Sequence, residues 1–156
     1  MQYSNGQVLA IVTLRILTGW HFLYEGLVKV FDPGWSSAPL LENAQGPFAG
    51  LFKSMASTPA VLEIVDQLNQ WGLTLIGLSL LTGFLSRSAS IGGIILLFFY
   101  YIVIPPFSGV DQGIVEGNYM IVNKNLIELS MFIVLFMFPT DRIIGLERLL
   151  YPAKKQ

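Results

Sequence analysis

The chain has no cysteine, a single histidine and little charge, and each shortage removes a class of chemistry. Without cysteine it forms no disulfide, relays no electrons through its own thiols and holds no iron–sulfur cluster. With His21 alone there is no intrachain pair of axial haem ligands and no ordinary zinc site, so neither metal nor haem is expected on this chain. Nine basic residues stand against ten acidic ones, and nowhere do they gather into the basic face that a phosphate backbone requires; nucleic acid is not an expected partner. Residues 1–7 carry no Lys or Arg and no small-residue cleavage signal, so the first apolar stretch is expected to be retained as a helix.

What the chain does have is apolar surface. With 53% hydrophobic residues, 12% charged ones and a mean hydropathy of +0.62, it lacks the polar area to coat a water-soluble domain. The expected solvent is a lipid bilayer, and residues 1–156 read as one domain, without repeat or low-complexity tract. The expected fold is an all-α integral membrane protein: a four-transmembrane-helix bundle with a long outer loop and a C-terminal interfacial amphipathic helix.

Four segments carry that expectation. Segment one (8–31) and segment four (121–138) approach the ~20 residues that cross a hydrocarbon core. Segments two (71–85) and three (89–104) are shorter and separated by little more than Arg87, which makes them a tight helical hairpin. Segment two gains length upstream, where Val61, Leu62, Ile64, Val65 and Leu68 recur at helical spacing behind a natural start at Pro59. Pro105 and Pro106 end segment three.

Basic residues set the orientation. Arg87, Arg142, Arg148, Lys154 and Lys155 fall on one side, while Asp111 and Glu116 mark the loop on the other, so both termini are expected in the cytoplasm and the protein in a bacterial-type inner membrane. Trp71, Tyr100 and Tyr101 then mark the outer interface. The loop 32–70 is too apolar for a solvated linker and is expected to fold back on the outer mouth, with Trp35, Phe48 and Phe52 as anchors. After Pro139, residues 143–150 read as an amphipathic helix on the inner surface. Ser88 with Gly92 and Ala89 with Gly93 form small-residue pairs, for which Gly72, Gly77 and Gly83 offer a matching surface on helix 2.

The residues that hydrocarbon should reject are the informative ones: Arg15, His21, Glu25 and Lys29 on helix 1, and Asn123, Lys124, Asn125 and Glu128 on helix 4. A charge at mid-bilayer costs roughly 2.5–3.5 kcal/mol on insertion scales, so a neutralising network is expected. Counting ~1.5 Å per residue from the outer ends puts Lys29 level with Lys124, and Glu25 level with Glu128 one turn deeper. Each lysine is therefore expected to reach the opposite helix's glutamate. Arg15 sits alone in the inner half and is expected to snorkel to phosphates or to meet the Ser79 and Thr82 side of helix 2. His21, Glu25 and Glu128 are the candidate proton-transfer groups. Trp20, Phe22 and Tyr24 are the candidate slot for a flat ring, and Lys29 and Lys124 the candidate stabilisers of a developing oxyanion. The same inventory suits a purely structural ion-pair network.

Several short motifs resemble the DoxX family of small four-helix membrane proteins, which includes the DoxD-type subunit of thiosulfate:quinone oxidoreductase. Helix 1 contributes Arg15-Ile16-Leu17, Gly19, Phe22, Gly26 and Lys29; helix 2 and its turn contribute Gly77-Leu78, Gly83-Phe84-Leu85 and Arg87. Lys124-Asn125-Leu126-Ile127-Glu128 on helix 4, Trp35-Ser36-Ser37-Ala38 and Gly46-Pro47-Phe48 complete the likeness. Where many members carry an acidic residue early in helix 2, this chain has Gly72, Leu73 and Thr74. The resemblance implies a quinone-linked oxidoreductase subunit of thiosulfate or thiol:quinone type, with quinone as cofactor and Asn125 among the residues that hold it. The expected partners are the lipid bilayer, a quinone or sulfur-compound substrate, and a second subunit or another copy of the chain. Two other readings are a non-enzymatic assembly partner and a small transporter or proton path.

Overall fold

The computed structural model describes residues 3–106 and 119–150. Four long helices dominate: α1 (Asn5–Phe31), α4 (Pro59–Thr82), α5 (Ser86–Val103) and α6 (Lys124–Met137). Three short ones join them: α2 (Ala38–Glu42), α3 (Ala49–Ser57) and α7 (Glu147–Leu150). Among the described residues there is no strand, only an isolated bridge between Tyr119 and Val122. Helices α1 and α5 are long and apolar enough to cross a membrane.

Local chemistry sets the helix ends. Ser4 and Gln7 close a reciprocal capping box at the start of α1, each side chain bonding the other residue's amide. Pro59 opens α4 as expected, and Gly83, at φ 64°, ends it in the left-handed conformation that glycine adopts without penalty. Helix α6 starts later than hydropathy suggests. The Asn123 side chain accepts from the Leu126 amide at 3.0 Å, so the residue read as a polar intrusion into the bilayer is an N-cap.

The packing uses glycine differently from the expectation. A Cβ on Gly77 would lie 2.2 Å from the Leu23 backbone nitrogen, and one on Gly26 2.5 Å from that of Thr74. Gly19 likewise meets Leu80 and Leu81, so α1 and α4 run antiparallel with their backbones nearly touching. Gly93 of α5 receives the Phe132 ring of α6, whereas Gly72 and Gly92 have only ordinary contacts. The small residues thus build the α1–α4 and α5–α6 seams, not a helix 2 to helix 3 seam. Phe22, Leu73, Ile76, Leu80, Leu97, Phe132 and Leu135 fill the space between the two pairs.

The segment between α1 and α4 folds back over one end of the bundle, where Leu41, Ala44, Phe52 and Val103 form a second core. The Ser37 amide and hydroxyl both donate to Asp66, at 2.7 and 2.5 Å, and the Gln45 amide donates to the Val103 carbonyl at 2.8 Å. Of the three expected anchors, Phe52 is buried, Trp35 half-buried and Phe48 exposed.

The opposite end departs most from expectation. Residues 141–146 form turns and bends, leaving only the short α7 in place of one amphipathic helix. These turns are pulled onto the bundle: the Leu146 amide donates to the Thr82 carbonyl at 2.9 Å and the Glu147 amide to that of Gly83 at 3.2 Å. Arg15 is the reason. It neither snorkels nor meets Ser79 and Thr82; its guanidinium donates to Thr140 Oγ1 at 2.8 Å, Asp141 Oδ1 at 3.2 Å and the Ile144 carbonyl at 2.6 Å. Ser86 adds a hydroxyl donor to the same Asp141 oxygen. The loop expected around Asp111 and Glu116, and the terminal Lys154 and Lys155, lie outside the described residues.

Candidate functional site

Near the capped end, polar groups from three helices meet around a cavity of about 100 Å³. Helix α1 supplies His21, Glu25 and Lys29, because the i, i+4, i+8 spacing stacks them along one face. The first turns of α6 supply Lys124, Asn125 and Glu128. Phe22, Leu73 and Leu97 form the apolar wall, and Tyr100 of α5 closes the ring.

The charges pair differently from the expected cross-helix arrangement. Lys29 Nζ lies 3.5 Å from Glu25 Oε2 and Lys124 Nζ 3.6 Å from Glu128 Oε1, each within its own helix. The link between helices is His21, whose Nε2 is 3.3 Å from the same Glu128 oxygen. An i, i+4 neighbour is in reach before any bundle forms, so each lysine folds down its own helix. The ammonium of Lys29 also stands 5.4 Å over the Trp35 ring, which draws it toward the capping loop. Glu128 is the hub, shared by an imidazole and an ammonium.

Six of the sequence candidates other than Phe22 therefore converge: His21, Glu25, Lys29, Lys124, Asn125 and Glu128. Phe22 is buried beneath them, its ring edge-on to Phe132 with centroids 4.8 Å apart. Trp20 and Tyr24 do not join. They are 61% and 59% exposed on the outer side of α1, so the three aromatics make no common slot. A step of two residues turns a helix by about 200°, which sends Trp20 and Tyr24 away from the face that holds Phe22.

Sequence reasoning missed Tyr100, assigning it to the outer interface. Its hydroxyl instead accepts from Asn69 Nδ2 at 2.6 Å inside the bundle, and Asn69 Oδ1 is buried without a partner among the described residues. The available signal was Asn69 itself, an amide in a helix otherwise apolar from Leu68 through Leu81 apart from Gln70, Thr74 and Ser79. Chemically, the cavity offers hydrogen-bond donors, one imidazole able to carry a proton either way, and carboxylates that hold that proton nearby. Among the described residues no cluster of His, Asp and Glu is arranged to hold a metal ion.

A family model described as DoxX matches residues 10–105, the stretch that runs from the first turns of α1 to the end of α5. No curated protein and no solved structure matches the chain.

Proposed function

Since the chain belongs to the DoxX family, a family of membrane proteins, we propose that it is the membrane subunit of a quinone-linked oxidoreductase of thiosulfate or thiol:quinone type. In this reading α1, α4, α5 and α6 are four spans of a bacterial-type inner membrane. Both termini are cytoplasmic, because Arg87, Arg142 and Arg148 lie at the end opposite the capping segment. The capped end, with α2 and α3, then faces outward.

The observation that carries the reading is the convergence of His21, Glu25, Glu128, both lysines and Tyr100 on one cavity inside an apolar bundle. Quinone reduction places negative charge and then protons on ring oxygens. Lysine stabilises that charge, and a histidine held by a glutamate transfers the protons. A quinone, when bound, would supply the electron-accepting ring; His21 and Glu128 would hold its carbonyl edge and Tyr100 would offer a further hydroxyl. The cavity takes a polar ring edge and little more, well below the roughly 300–1,000 Å³ of sites that enclose whole ligands. The remainder of such a ligand lies in lipid.

One observation favours a second reading, a non-enzymatic assembly subunit: every charged group around the cavity already has a partner within this chain. Binding of a short-chain quinone analogue to the purified protein, followed by quenching of Trp fluorescence, separates the two. The oxidoreductase reading expects saturable binding lost in Glu128→Gln and His21→Ala, and quinone reduction with thiosulfate or a thiol as donor. Equal, unsaturable quenching in all three proteins selects the assembly reading.

A further inference from the structure

Asn69 lies one turn from Leu73 on the same face of α4, and Leu73 lines the cavity that holds His21 and Glu128. It is 8% exposed in the middle of a helix, where asparagine is a poor helix former and hydrocarbon a poor solvent for an amide. Its Nδ2 donates to the Tyr100 hydroxyl at 2.6 Å, while its Oδ1 is buried with no partner among the described residues. As a fastener between α4 and α5 this amide is a poor choice, because one hydrogen bond between helices gains less than an unpartnered buried carbonyl costs. Its effect on Tyr100 accounts for it better.

A phenol has one hydrogen to give and lone pairs to receive with. The Asn69 amide nitrogen only donates, so it occupies a lone pair, and the Tyr100 hydrogen cannot turn back toward it. Among the described residues no acceptor takes that hydrogen. Tyr100 lines the cavity, so its O–H is left as a donor to whatever enters there. The charged groups around it are already engaged, Glu25 with Lys29, and Glu128 with both Lys124 and His21. Tyr100 is the neutral donor among them.

We infer that Asn69 is a positioning residue for the cavity: by occupying a lone pair of Tyr100 it fixes the phenol as a donor, and so selects a ligand whose polar edge is a carbonyl oxygen over one whose edge is a hydroxyl. The inference rests on the quinone reading and deepens it, since a quinone presents only acceptors at its ring edge where the corresponding quinol presents hydrogens as well. A donor meets a carbonyl fully. A hydroxyl must also find an acceptor of its own, among carboxylates that are already paired. Asn69 touches no ligand in this arrangement; it acts through Tyr100.

Isothermal titration calorimetry of the full-length protein in detergent tests it, with a short-chain ubiquinone and, under argon, its quinol as probes. Tyr100→Phe and Asn69→Leu are each expected to weaken ubiquinone binding by about five- to tenfold, the worth of one hydrogen bond, and to leave quinol binding within about twofold of wild type. The double variant, Asn69→Leu with Tyr100→Phe, should bind ubiquinone no more weakly than Tyr100→Phe alone, because Asn69 acts only through the phenol. It removes both polar partners together, so its unfolding midpoint should stay near that of wild type and show the bundle intact. Equal weakening of both probes by Asn69→Leu, losses that add in the double variant, or a ubiquinone-to-quinol ratio unmoved by Asn69→Leu overturns the role of Asn69 while leaving the quinone reading in place. Binding of neither probe by wild type overturns the quinone reading, and this inference with it.

Discussion

Two clusters of charge lie inside the same bundle, and they are built on opposite principles. Around Arg15 the groups are buried: Arg15 and Asp141 are 3% and 2% exposed, and the pair is bonded by a hydroxyl on each side and a backbone carbonyl, with Arg15 Nε left without a partner among the described residues. Around Glu128 the geometry is open: its partners are longer, His21 and Lys124 are partly or largely exposed, and a cavity stands among them. A buried charge held by an opposite charge and several hydrogen bonds is a fastening. A partly exposed charge with space beside it keeps the freedom to change protonation or accept a ligand. Intramembrane charge alone therefore does not mark a site; exposure and looseness of pairing are what separate the two clusters.

The largest effect that tests this contrast comes from breaking the buried cluster. Arg15→Met or Asp141→Asn leaves the other partner buried and unpaired, at a cost of about 3–5 kcal/mol measured by reversible unfolding in mixed micelles. Quinone-analogue binding should persist in whatever fraction remains folded. The double variant Arg15→Met with Asp141→Leu should recover a substantial part of the loss, because an apolar pair avoids the unpaired charge. Next in size is Gly77→Ala, on the α1–α4 seam between the clusters. Its new methyl meets the Leu23 backbone, and parting the helices should cost about 1–3 kcal/mol, whereas Gly72→Ala, facing only Leu96 at 3.7 Å, should be near neutral. Glu128→Gln comes third, with a stability loss of about 1 kcal/mol or less but a complete loss of analogue binding. The smallest effect belongs to Glu25→Gln, whose i, i+4 pair with Lys29 is worth roughly 0.2–0.5 kcal/mol on a helix, so any larger change would have to appear in binding. A stability loss at Glu128 as large as that at Asp141 would erase the distinction between the clusters.

The long helices were legible because their signals are local. Apolar periodicity, Pro59 and Pro105 need no knowledge of the rest of the chain. The candidate site was legible as a set of residues for a related reason: His21, Glu25 and Lys29 share a helical face whatever packs against it. Their pairings were not, since depth counting ranks side chains along the bilayer normal and says nothing of which helix face turns toward which. Tyr100 was lost on the same ground. Asp141 was hidden differently. It stands between Pro139 and the 143–150 stretch read as an interfacial helix, and only the three-dimensional return of that segment to α1 reveals it as the partner of Arg15.

That return has a consequence for how the protein is made. Arg15 and Asp141 are 126 residues apart in the chain. At the ~5–20 residues per second of translation, roughly 6–25 s pass between the synthesis of Arg15 and that of its counter-ion. Through that interval the nascent protein lacks the carboxylate that neutralises this arginine in the folded bundle. Chains that stall short of Asp141 lack the carboxylate that pairs with Arg15 in the folded bundle.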